Sequence, residues 1–241
     1  MEKMSDYEIR NVPENEGMNR EERMAVSPAV IRRLPRYFRY LRELIREGRL
    51  RISSGELSEM MHVTASQIRQ DLNCFGGFGQ QGYGYNVNYL YTKVCELLGV
   101  STGLRAVIVG AGDLGRALVR STMFDKRGVD IVGMLDINPD LIGKEFGGVK
   151  VYDVDDLERF CNYFSVDMAV LTLPKESAVK VSNRLVAAGV RGLWNFTGRE
   201  LDLPEDANVA VENVHLGDSL MILNYKLSAL SHGEESEEKE Q

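Results

Sequence analysis

The chain has 241 residues and a formal net charge of −7, and it is long enough for two domains with separate hydrophobic cores. Its one basic stretch, residues 27–100, carries 10 basic and 6 acidic side chains. No apolar run approaches the roughly 20 residues that a membrane span needs, and the polar start is unlike a signal peptide, so we expect a cytoplasmic protein. The 3 cysteines have no CxxC spacing, which favours reduced thiols over disulfides or a metal site.

The first predicted element is an amphipathic helix that begins after Ser27 and ends at Gly48. Ser27-Pro28 is typical of a helix N-cap followed by proline in the first turn. Apolar residues recur at spacings of three and four on one face, and arginines occupy the rest. Because an internal proline costs about 3 kcal/mol, we expect this helix to bend or restart at Pro35.

Two short capped helices joined by a tight turn follow, at about residues 53–61 and 64–75. Each opens with a capping box, Ser53-x-x-Glu56 and then Thr64-x-x-Gln67. This arrangement predicts a helix-turn-helix. In the second helix arginine can contact guanine or phosphate, and glutamine or asparagine can contact adenine. The polar residues predicted to face outward are Ser66, Arg69, Gln70 and Asn73. The alternative is that they are only a solvated surface.

The next segment has glycines between aromatic residues, which is typical of a β-hairpin wing with a glycine-rich tip. Residues 27–86 are therefore predicted to form a winged helix-turn-helix domain that binds DNA. A further helix over residues 87–99 is expected to link this domain to the rest of the chain.

The stretch LRAVIVGAGDLG joins an apolar strand to Gly110-x-Gly112-x-x-Gly115, and a helical pattern and a second strand ending at Asp136 follow. This is the order that a dinucleotide site needs. Gly110 permits the tight turn, Gly112 lets the backbone approach the pyrophosphate, and Gly115 lets helix and strand pack closely. The helix N-terminus offers N–H groups to the anion. The predicted contacts are Gly110, Ala111, Gly112, Asp113, Leu114 and Gly115.

Asp136 selects among nucleotides. It can accept hydrogen bonds from both hydroxyls of an adenosine ribose, and its charge repels a 2′-phosphate, so NAD(H) is preferred to NADP(H). Another adenine nucleotide stays open as the ligand.

Continuous apolar strands alternate with helices up to residue 214. This predicts a parallel sheet covered on both faces, so that residues 100–214 form a Rossmann-type domain. The loops after its strands, at residues 172–174 and 195–197, are expected to line the nucleotide crevice.

A leucine seam follows the sheet, with spacings of 4, 3, 4 and 3 that are typical of a helix packed on another helix. We expect residues 215–231 to form a dimerisation helix. The acidic ends, residues 1–26 and 232–241, are expected to be disordered. The seam consists of Leu216, Leu220, Leu223, Leu227 and Leu230.

Several motifs together resemble the Rex family, the bacterial redox-sensing transcriptional repressors. They span roughly residues 27–231 and are RLPRYFRYL, TASQIRQDL, FGGFGQQGYGY, VGAGDLGRAL, MLDINP, LTLPKESA, NFTG and VAVENVHL. The resemblance implies a winged helix, a Rossmann domain and a domain-swapped C-terminal helix in a homodimer. It also implies a repressor of palindromic operator DNA that is released when NADH replaces NAD⁺.

The resemblance assigns roles to single residues. Arg69 matches the recognition-helix arginine, Arg33 a phosphate contact of the first helix, and Arg39 an arginine of the switching network. The positions that match residues near the dinucleotide are Thr172, Pro174, Asn195 and Phe196.

Some DNA-contact positions depart from the family pattern. Family members usually have lysine at Gln70 and basic residues in the wing at Gln80 and Gln81, close to Tyr83. Fewer cations flatten the salt dependence of DNA binding, because each neutralised phosphate contributes about −0.9 to the slope.

The switching network departs as well. His215 stands where the family has the aspartate that pairs with the arginine matched by Arg39, and Ser121 stands where a tyrosine is expected. Leu216, where large apolar residues are common, leads into the predicted dimer residues Leu220 and Leu223. The alternative is therefore a diverged Rex-like nucleotide-binding protein with weakened or altered DNA binding and switching.

An NAD-dependent dehydrogenase is the enzyme alternative. It would need a catalytic Tyr-x-x-x-Lys, a His–Asp pair or a zinc set, and none of His62, His215 and His232 has a neighbour in such a pattern. We therefore expect no catalytic residues. A nucleotide-responsive interaction protein without DNA binding is a further alternative.

Overall fold

The computed structural model describes residues 26–74, 84–100 and 102–237, and side chains as far as residue 230. The chain divides into two compact units, one up to Thr102 and one from Gly103 onward. The first unit is mainly helical, and the second alternates strands and helices.

The first unit contains a helix-turn-helix at the predicted place. Strands β1 and β2 pair antiparallel, with Arg51 opposite Asn86, so the chain after the glycine-rich segment returns to the strand before the helix-turn-helix. The rest of the predicted wing, residues 75–83, lies outside the described residues. The elements are α1 Pro28–Arg46, β1 Arg51–Ile52, α2 Ser54–Met61, α3 Ala65–Asn73, β2 Tyr85–Asn86 and α4 Val87–Leu98.

Helix α1 runs through Pro35 without a break, so the expected restart is wrong. Pro35 is exposed, whereas Leu34, Tyr37 and Leu41 are at most 2% exposed. Burying such side chains contributes about 1.5–3 kcal/mol each, which outweighs the roughly 3 kcal/mol that an internal proline costs.

Only one of the two predicted capping boxes is complete. Ser53 Oγ accepts from the Glu56 backbone N–H over 3.1 Å, and the Ser53 N–H donates to the Glu56 carboxylate over 2.8 Å. Thr64 Oγ1 likewise accepts from the Gln67 N–H over 3.1 Å. The Gln67 side chain, however, donates to Asp71 instead of returning to the N-cap.

Helix α4, predicted as a linker, is an integral part of the first unit's core. Val87, Leu90 and Val94 are fully buried, and Tyr91 stacks on Phe38 of α1 with ring centroids 5.4 Å apart. The two helices pack together because each presents an apolar face to the other.

The second unit is built on one seven-stranded sheet in the order β5-β6-β4-β3-β7-β8-β9. Its pairs are parallel except for β5 with β6. The elements are β3 Leu104–Val109, α5 Asp113–Val119, β4 Val129–Asp136, β5 Glu145–Phe146, β6 Val149–Asp153, α6 Leu157–Phe164, β7 Met168–Leu171, α7 Lys175–Ala187, β8 Gly192–Asn195, β9 Ala210–Asn213 and α8 Leu216–Glu237.

The predicted Rossmann-type sheet is confirmed. Its six parallel strands have the order of the doubly wound dinucleotide-binding fold, with the switch point between β3 and β7. Strand β3 is buried on both faces: Val107 and Val109 belong to one apolar cluster and Ile108 to the other. The switch point therefore lies beside a strand that is buried on both faces.

Helix α8 is longer than predicted, since it continues to Glu237 through most of the acidic stretch that was expected to be disordered. Glutamate is a good helix former, and extending an existing helix needs no new nucleus. The leucines of the seam are between 51% and 68% exposed. Among the described helices, none combines the length and the apolar character needed to cross a membrane.

Candidate nucleotide site and DNA-recognition helix

The glycine turn after β3 lies against the loop after β7, at the switch point of the sheet. Gly110 has a φ of +105°, and a Cβ there would lie 2.5 Å from the carbonyl oxygen of Thr172. The Thr172 hydroxyl donates to the Gly110 carbonyl over 2.9 Å, and its N–H donates to Val109 over 2.9 Å. The turn is thus fixed by a direct contact between the two loops that flank the crevice.

The other two glycines differ in why they are needed. A Cβ at Gly115 would lie 2.1 Å from the Gly110 carbonyl oxygen, so close packing of α5 requires glycine there. Gly112 has a φ of −70°, and a Cβ there would meet nothing within 4 Å. Neither the backbone nor the packing of this chain demands glycine at 112. The open space over it fits a closely approaching pyrophosphate.

Asp136 is held at the end of β4 beside this turn. Its Oδ2 accepts from the Ala111 N–H over 2.6 Å, and its Oδ1 accepts from the Asn138 N–H over 2.8 Å. A carboxylate oxygen can accept more than one hydrogen bond, so a fixed Asp136 still has capacity for ribose hydroxyls.

The outward face of α3 is polar and exposed. Ile68 and Leu72 are fully buried, and the Arg69 Nη1 donates to Ser54 Oγ at the start of α2 over 3.2 Å. The predicted DNA-contact residues on this face are all exposed: Ser66, Arg69, Gln70 and Asn73. The predicted wing contacts lie outside the described residues: Gln80, Gln81 and Tyr83.

Arg33 forms an ion pair with a buried carboxylate. Its Nε and Nη2 donate to the two carboxylate oxygens of Asp71, each over 2.7 Å, and its side chain is 22% exposed. The phosphate contact that the resemblance implies for Arg33 stays a prediction, and the structure shows its guanidinium paired with a buried carboxylate of the first unit.

Two family models match the chain, one on each unit. One described as "Putative DNA-binding protein N-terminus" matches residues 25–73, and one described as "CoA binding domain" matches residues 103–198. A "Redox-sensing transcriptional repressor Rex" of Caldicellulosiruptor saccharolyticus is 48% identical over 84% of this chain and 92% of its own length. The protein of that name from Clostridium botulinum (strain Alaska E43 / Type E3) is 52% identical over 84% and 95%. The chain belongs to the Rex family of redox-sensing transcriptional repressors.

Solved structures agree with this membership. RSP, described as a Rex-family repressor, has a TM-score of 0.80 and 47% identity, covering 87% of this chain and 97% of RSP. RSP in complex with β-NAD⁺ and operator DNA has a TM-score of 0.81 and 50% identity, covering 87% and 96%. Membership makes this Rex-family chain a transcriptional regulator rather than a dehydrogenase.

Three other predicted cofactor residues lie in the loops after β7 and β8 of this Rex-family chain. Thr172 contacts the turn directly, and Pro174 is the exposed N-cap residue of α7 two positions later. Phe196 is half-buried and packs edge-on against Trp194, with centroids 4.6 Å apart. All of them follow the carboxyl ends of β7 and β8, where the fold binds its ligands.

The side-chain amide of Asn195, the fourth of these predicted residues, is hydrogen-bonded to other groups of the protein. It is 1% exposed, and Nδ2 donates to the Arg199 carbonyl over 2.8 Å and to Asn213 Oδ1 over 2.7 Å. Its Oδ1 accepts from the Thr197 N–H and hydroxyl over 3.1 and 2.7 Å. Asn195 therefore shapes the loop after β8, and its contact with a ligand stays a prediction.

The switch residues that the Rex resemblance indicates are all exposed: Arg39 in the first unit, and Ser121 and His215 in the second. Ser121 Oγ accepts from the Met123 N–H over 3.3 Å, and the His215 carbonyl accepts from the Asp218 N–H over 3.1 Å at the start of α8. Their roles in switching stay predictions. No cluster of three or more potential metal ligands occurs among the residues that the structure describes.

Asp71 is a buried charged residue that sequence reasoning missed. A charged residue on a short helix suggests a solvated position, yet Asp71 lies beside Leu72 and three positions after Ile68, on the buried face. That register was the available signal: an acid within the apolar face of an amphipathic helix needs a partner.

Proposed function

We propose that this chain is an NAD(H)-responsive repressor that binds operator DNA as a homodimer and is released when NADH binds. The observation that carries the proposal is the open space over Gly112 beside a fixed Asp136, in a chain that also presents an exposed recognition face on α3. RSP has been solved with β-NAD⁺ and operator DNA and also with β-NADH, which supports both ligands.

The dinucleotide would lie across the switch point. Gly112 would admit the pyrophosphate, Asp136 would accept from the adenosine ribose, and Thr172, Pro174 and Phe196 would flank the remainder. The cofactor supplies the redox signal, because its nicotinamide ring is charged when oxidised and neutral when reduced. The residues of this chain supply the binding and the selection against a 2′-phosphate.

The DNA-binding unit would comprise residues 27–86 with α4 packed against it, and its α3 would enter the major groove. Arg69 would contact guanine or phosphate, with Gln70 and Asn73 on adenine edges. The wing, with Gln80, Gln81 and Tyr83, would follow the backbone. Binding to operator DNA would place the protein in the cytoplasm of a bacterium.

The homodimer would form through α8, exchanged between the two subunits. Its leucine seam is exposed in the single chain, and a contiguous exposed apolar surface is typical of a protein interaction site. An open groove of about 650 Å³ along β8 and β9 adds further apolar surface to the same unit. His215, at the start of α8, and Arg39 and Ser121 would take part in the switch.

Selection from random duplex DNA, followed by anisotropy titrations, tests the proposal. With NAD⁺ present, we expect a palindromic site to be enriched and bound, and NADH to release it. Arg69→Ala should abolish site-specific binding and leave NADH binding intact. Failure to enrich any site with the folded dimer would contradict the proposal.

A second candidate is a diverged member of the family with weakened switching. The exposed His215 and Ser121 stand where the family has an aspartate and a tyrosine, which favours it. Operator binding that NADH leaves unchanged, with NADH bound to the protein, would select this candidate over the first.

A further inference from the structure

A buried carboxylate lies on the inner side of the recognition helix. Asp71 is 0% exposed, as are Ile68 and Leu72 beside it. Gln70 and Asn73 lie on the exposed side of the same helix. Asp71 therefore faces the protein, and cannot itself touch DNA bound to the outer face.

Four hydrogen bonds satisfy this carboxylate. Arg33 donates from Nε to Oδ2 and from Nη2 to Oδ1, each over 2.7 Å. The Tyr37 hydroxyl donates to Oδ2 over 2.9 Å, and Gln67 Nε2 donates to Oδ1 over 2.9 Å. Arg33 and Tyr37 are one turn apart on α1, so the carboxylate joins α3 to a single face of α1.

The ionisation of the group agrees with this geometry. Burial alone would raise the pKa of the Asp71 carboxyl, but the hydrogen bonds from Arg33, Gln67 and Tyr37 outweigh burial and hold its pKa below the ordinary value. Burial, with Asp71 nearby, raises the pKa of Tyr37. Asp71 is thus charged and Tyr37 is a hydrogen-bond donor at neutral pH.

A directional contact fixes the rotation of a helix more strictly than apolar packing does. Apolar contacts such as those of Ile68 and Leu72 tolerate small rotations, whereas a bidentate guanidinium–carboxylate pair sets both distance and angle. Rotating a helix by about 20° moves the side chains on its outer surface by on the order of 2 Å. A displacement of that size removes hydrogen bonds to base edges, which need about 2.7–3.2 Å.

We propose that Asp71, held by Arg33 and Tyr37, is a positioning residue that sets the orientation of the recognition helix and thereby the operator specificity. Arg33 acts through Asp71 and not on a DNA phosphate. The inference rests on the operator binding proposed above.

The positioning role of Asp71 is tested by measuring the affinity of the dimeric protein for operator and for non-specific duplex DNA. Both affinities are measured at several salt concentrations. We expect Asp71→Asn and Arg33→Met each to weaken operator binding at least about tenfold while non-specific binding changes less than about threefold. The slope of log affinity against log salt should stay as in the wild type. A phosphate contact by Arg33 would instead lower that slope by about 0.9 for each half-site and weaken both DNAs alike.

Arg32→Met, an exposed arginine of the same helix, is the matched control and should leave the operator-to-non-specific ratio unchanged. The Arg33→Met/Asp71→Leu double variant should lose no more specificity than Arg33→Met, because the two residues act as one unit. Independent, additive losses would overturn the proposal.

Tyr37→Phe removes only one hydrogen bond to Asp71 and keeps the ion pair with Arg33. This variant should therefore fold even if the others do not, and it tests the proposal on its own. We expect it to lower the operator-to-non-specific ratio about two- to threefold, and an unchanged ratio would overturn the proposal. NADH affinity should equal that of the wild type in every variant. Wild-type protein without operator binding would refute the proposed function itself, whereas equal specificity of wild type and variants would refute only this inference.

Discussion

The backbone N–H of Ala111 donates a hydrogen bond to Oδ2 of Asp136 over 2.6 Å. This bond joins the glycine turn after β3 to the end of β4, so the two parts of the dinucleotide fingerprint hold each other in place before any ligand arrives. The Asn138 N–H binds the second carboxylate oxygen over 2.8 Å. The orientation of Asp136 is therefore preset, which lowers the cost of ordering it on binding.

Asp136→Asn should change the choice of nucleotide. The amide oxygen can still accept from Ala111, but the negative charge that repels a 2′-phosphate is gone, and ribose hydroxyls lose a charged acceptor. We expect NADH to bind more weakly and NADPH more tightly, so that their affinity ratio shifts about tenfold or more in calorimetric titrations. Asp140→Asn, at a nearby exposed carboxylate, is the control. A constant ratio would contradict the assigned role.

Alanine at Gly115 should lower the stability of the second unit, whereas alanine at Gly112 should mainly weaken NADH binding. At Gly115 the new Cβ would lie 2.1 Å from the Gly110 carbonyl oxygen, and overpacking of this kind costs about 1–3 kcal/mol or more. At Gly112 a Cβ would meet no atom within 4 Å, so the free energy of unfolding should fall only by about 1 kcal/mol, the usual cost of alanine at a helix N-cap. Thermal unfolding separates the two variants, and only Gly112→Ala should remain fully folded with weakened NADH binding. If Gly112→Ala bound NADH as tightly as the wild type, the open space over Gly112 would not be where the pyrophosphate binds.

Both units could be predicted from the sequence because their signals are local. The glycine spacing, the caps at Ser53 and Thr64 and the apolar strand runs each lie within a few residues of the element that they specify. Strand β6, Val149–Asp153, was missed because it is short and alternates with the exposed Lys150, with only Val151 fully buried.

The hydrogen-bond networks around the buried side chains of Asp71 and Asn195 could not be predicted, because the residues that bind them are distant in sequence. Arg33 is 38 residues from Asp71, and Asn195 is 18 residues from Asn213. The spacing of nearby residues cannot show that a side chain is hydrogen-bonded to a residue so distant in sequence. For the same reason the sequence could not show that Arg33 pairs with Asp71 or that the Asn195 amide is hydrogen-bonded within its own unit.

Because of Asp71, the free energy of unfolding of the first unit should depend on pH in the acidic range. A carboxyl whose pKa is lower in the folded than in the unfolded state contributes stability above its unfolded pKa of about 3.9, and loses it as pH falls through the folded pKa. The difference in unfolding free energy between wild type and Asp71→Asn should therefore be largest near pH 7 and shrink below about pH 4. Urea unfolding at pH 7, 5, 4 and 3 measures it. A difference that is independent of pH would show that the charge contributes nothing.

The three cysteines should differ in reactivity. Burial raises the pKa of the Cys95 and Cys161 thiols to about 11 each, whereas Cys74 at the end of α3 is exposed. Because the thiolate is the reactive form, we expect one fast thiol per native chain with a disulfide reagent at pH 8, and three after denaturation. Cys74→Ser should abolish the fast phase. Fast reaction of a second thiol would show that one of the buried sites opens readily.

A charge in the seam of α8 should dissociate the dimer. Leu223 is 51% exposed in the single chain, and burying a leucine contributes about 1.5–3 kcal/mol. Each substitution counts twice in a symmetric dimer, so Leu223→Glu should raise the dimer dissociation constant by roughly 10²–10⁴-fold. Analytical ultracentrifugation at micromolar concentration would then show monomer, and operator binding would be lost because a single recognition helix contacts only one half-site. Asn224→Glu, beside the seam, should remain dimeric. If Leu223→Glu also remained dimeric with wild-type operator affinity, the subunits would have to associate through a different surface.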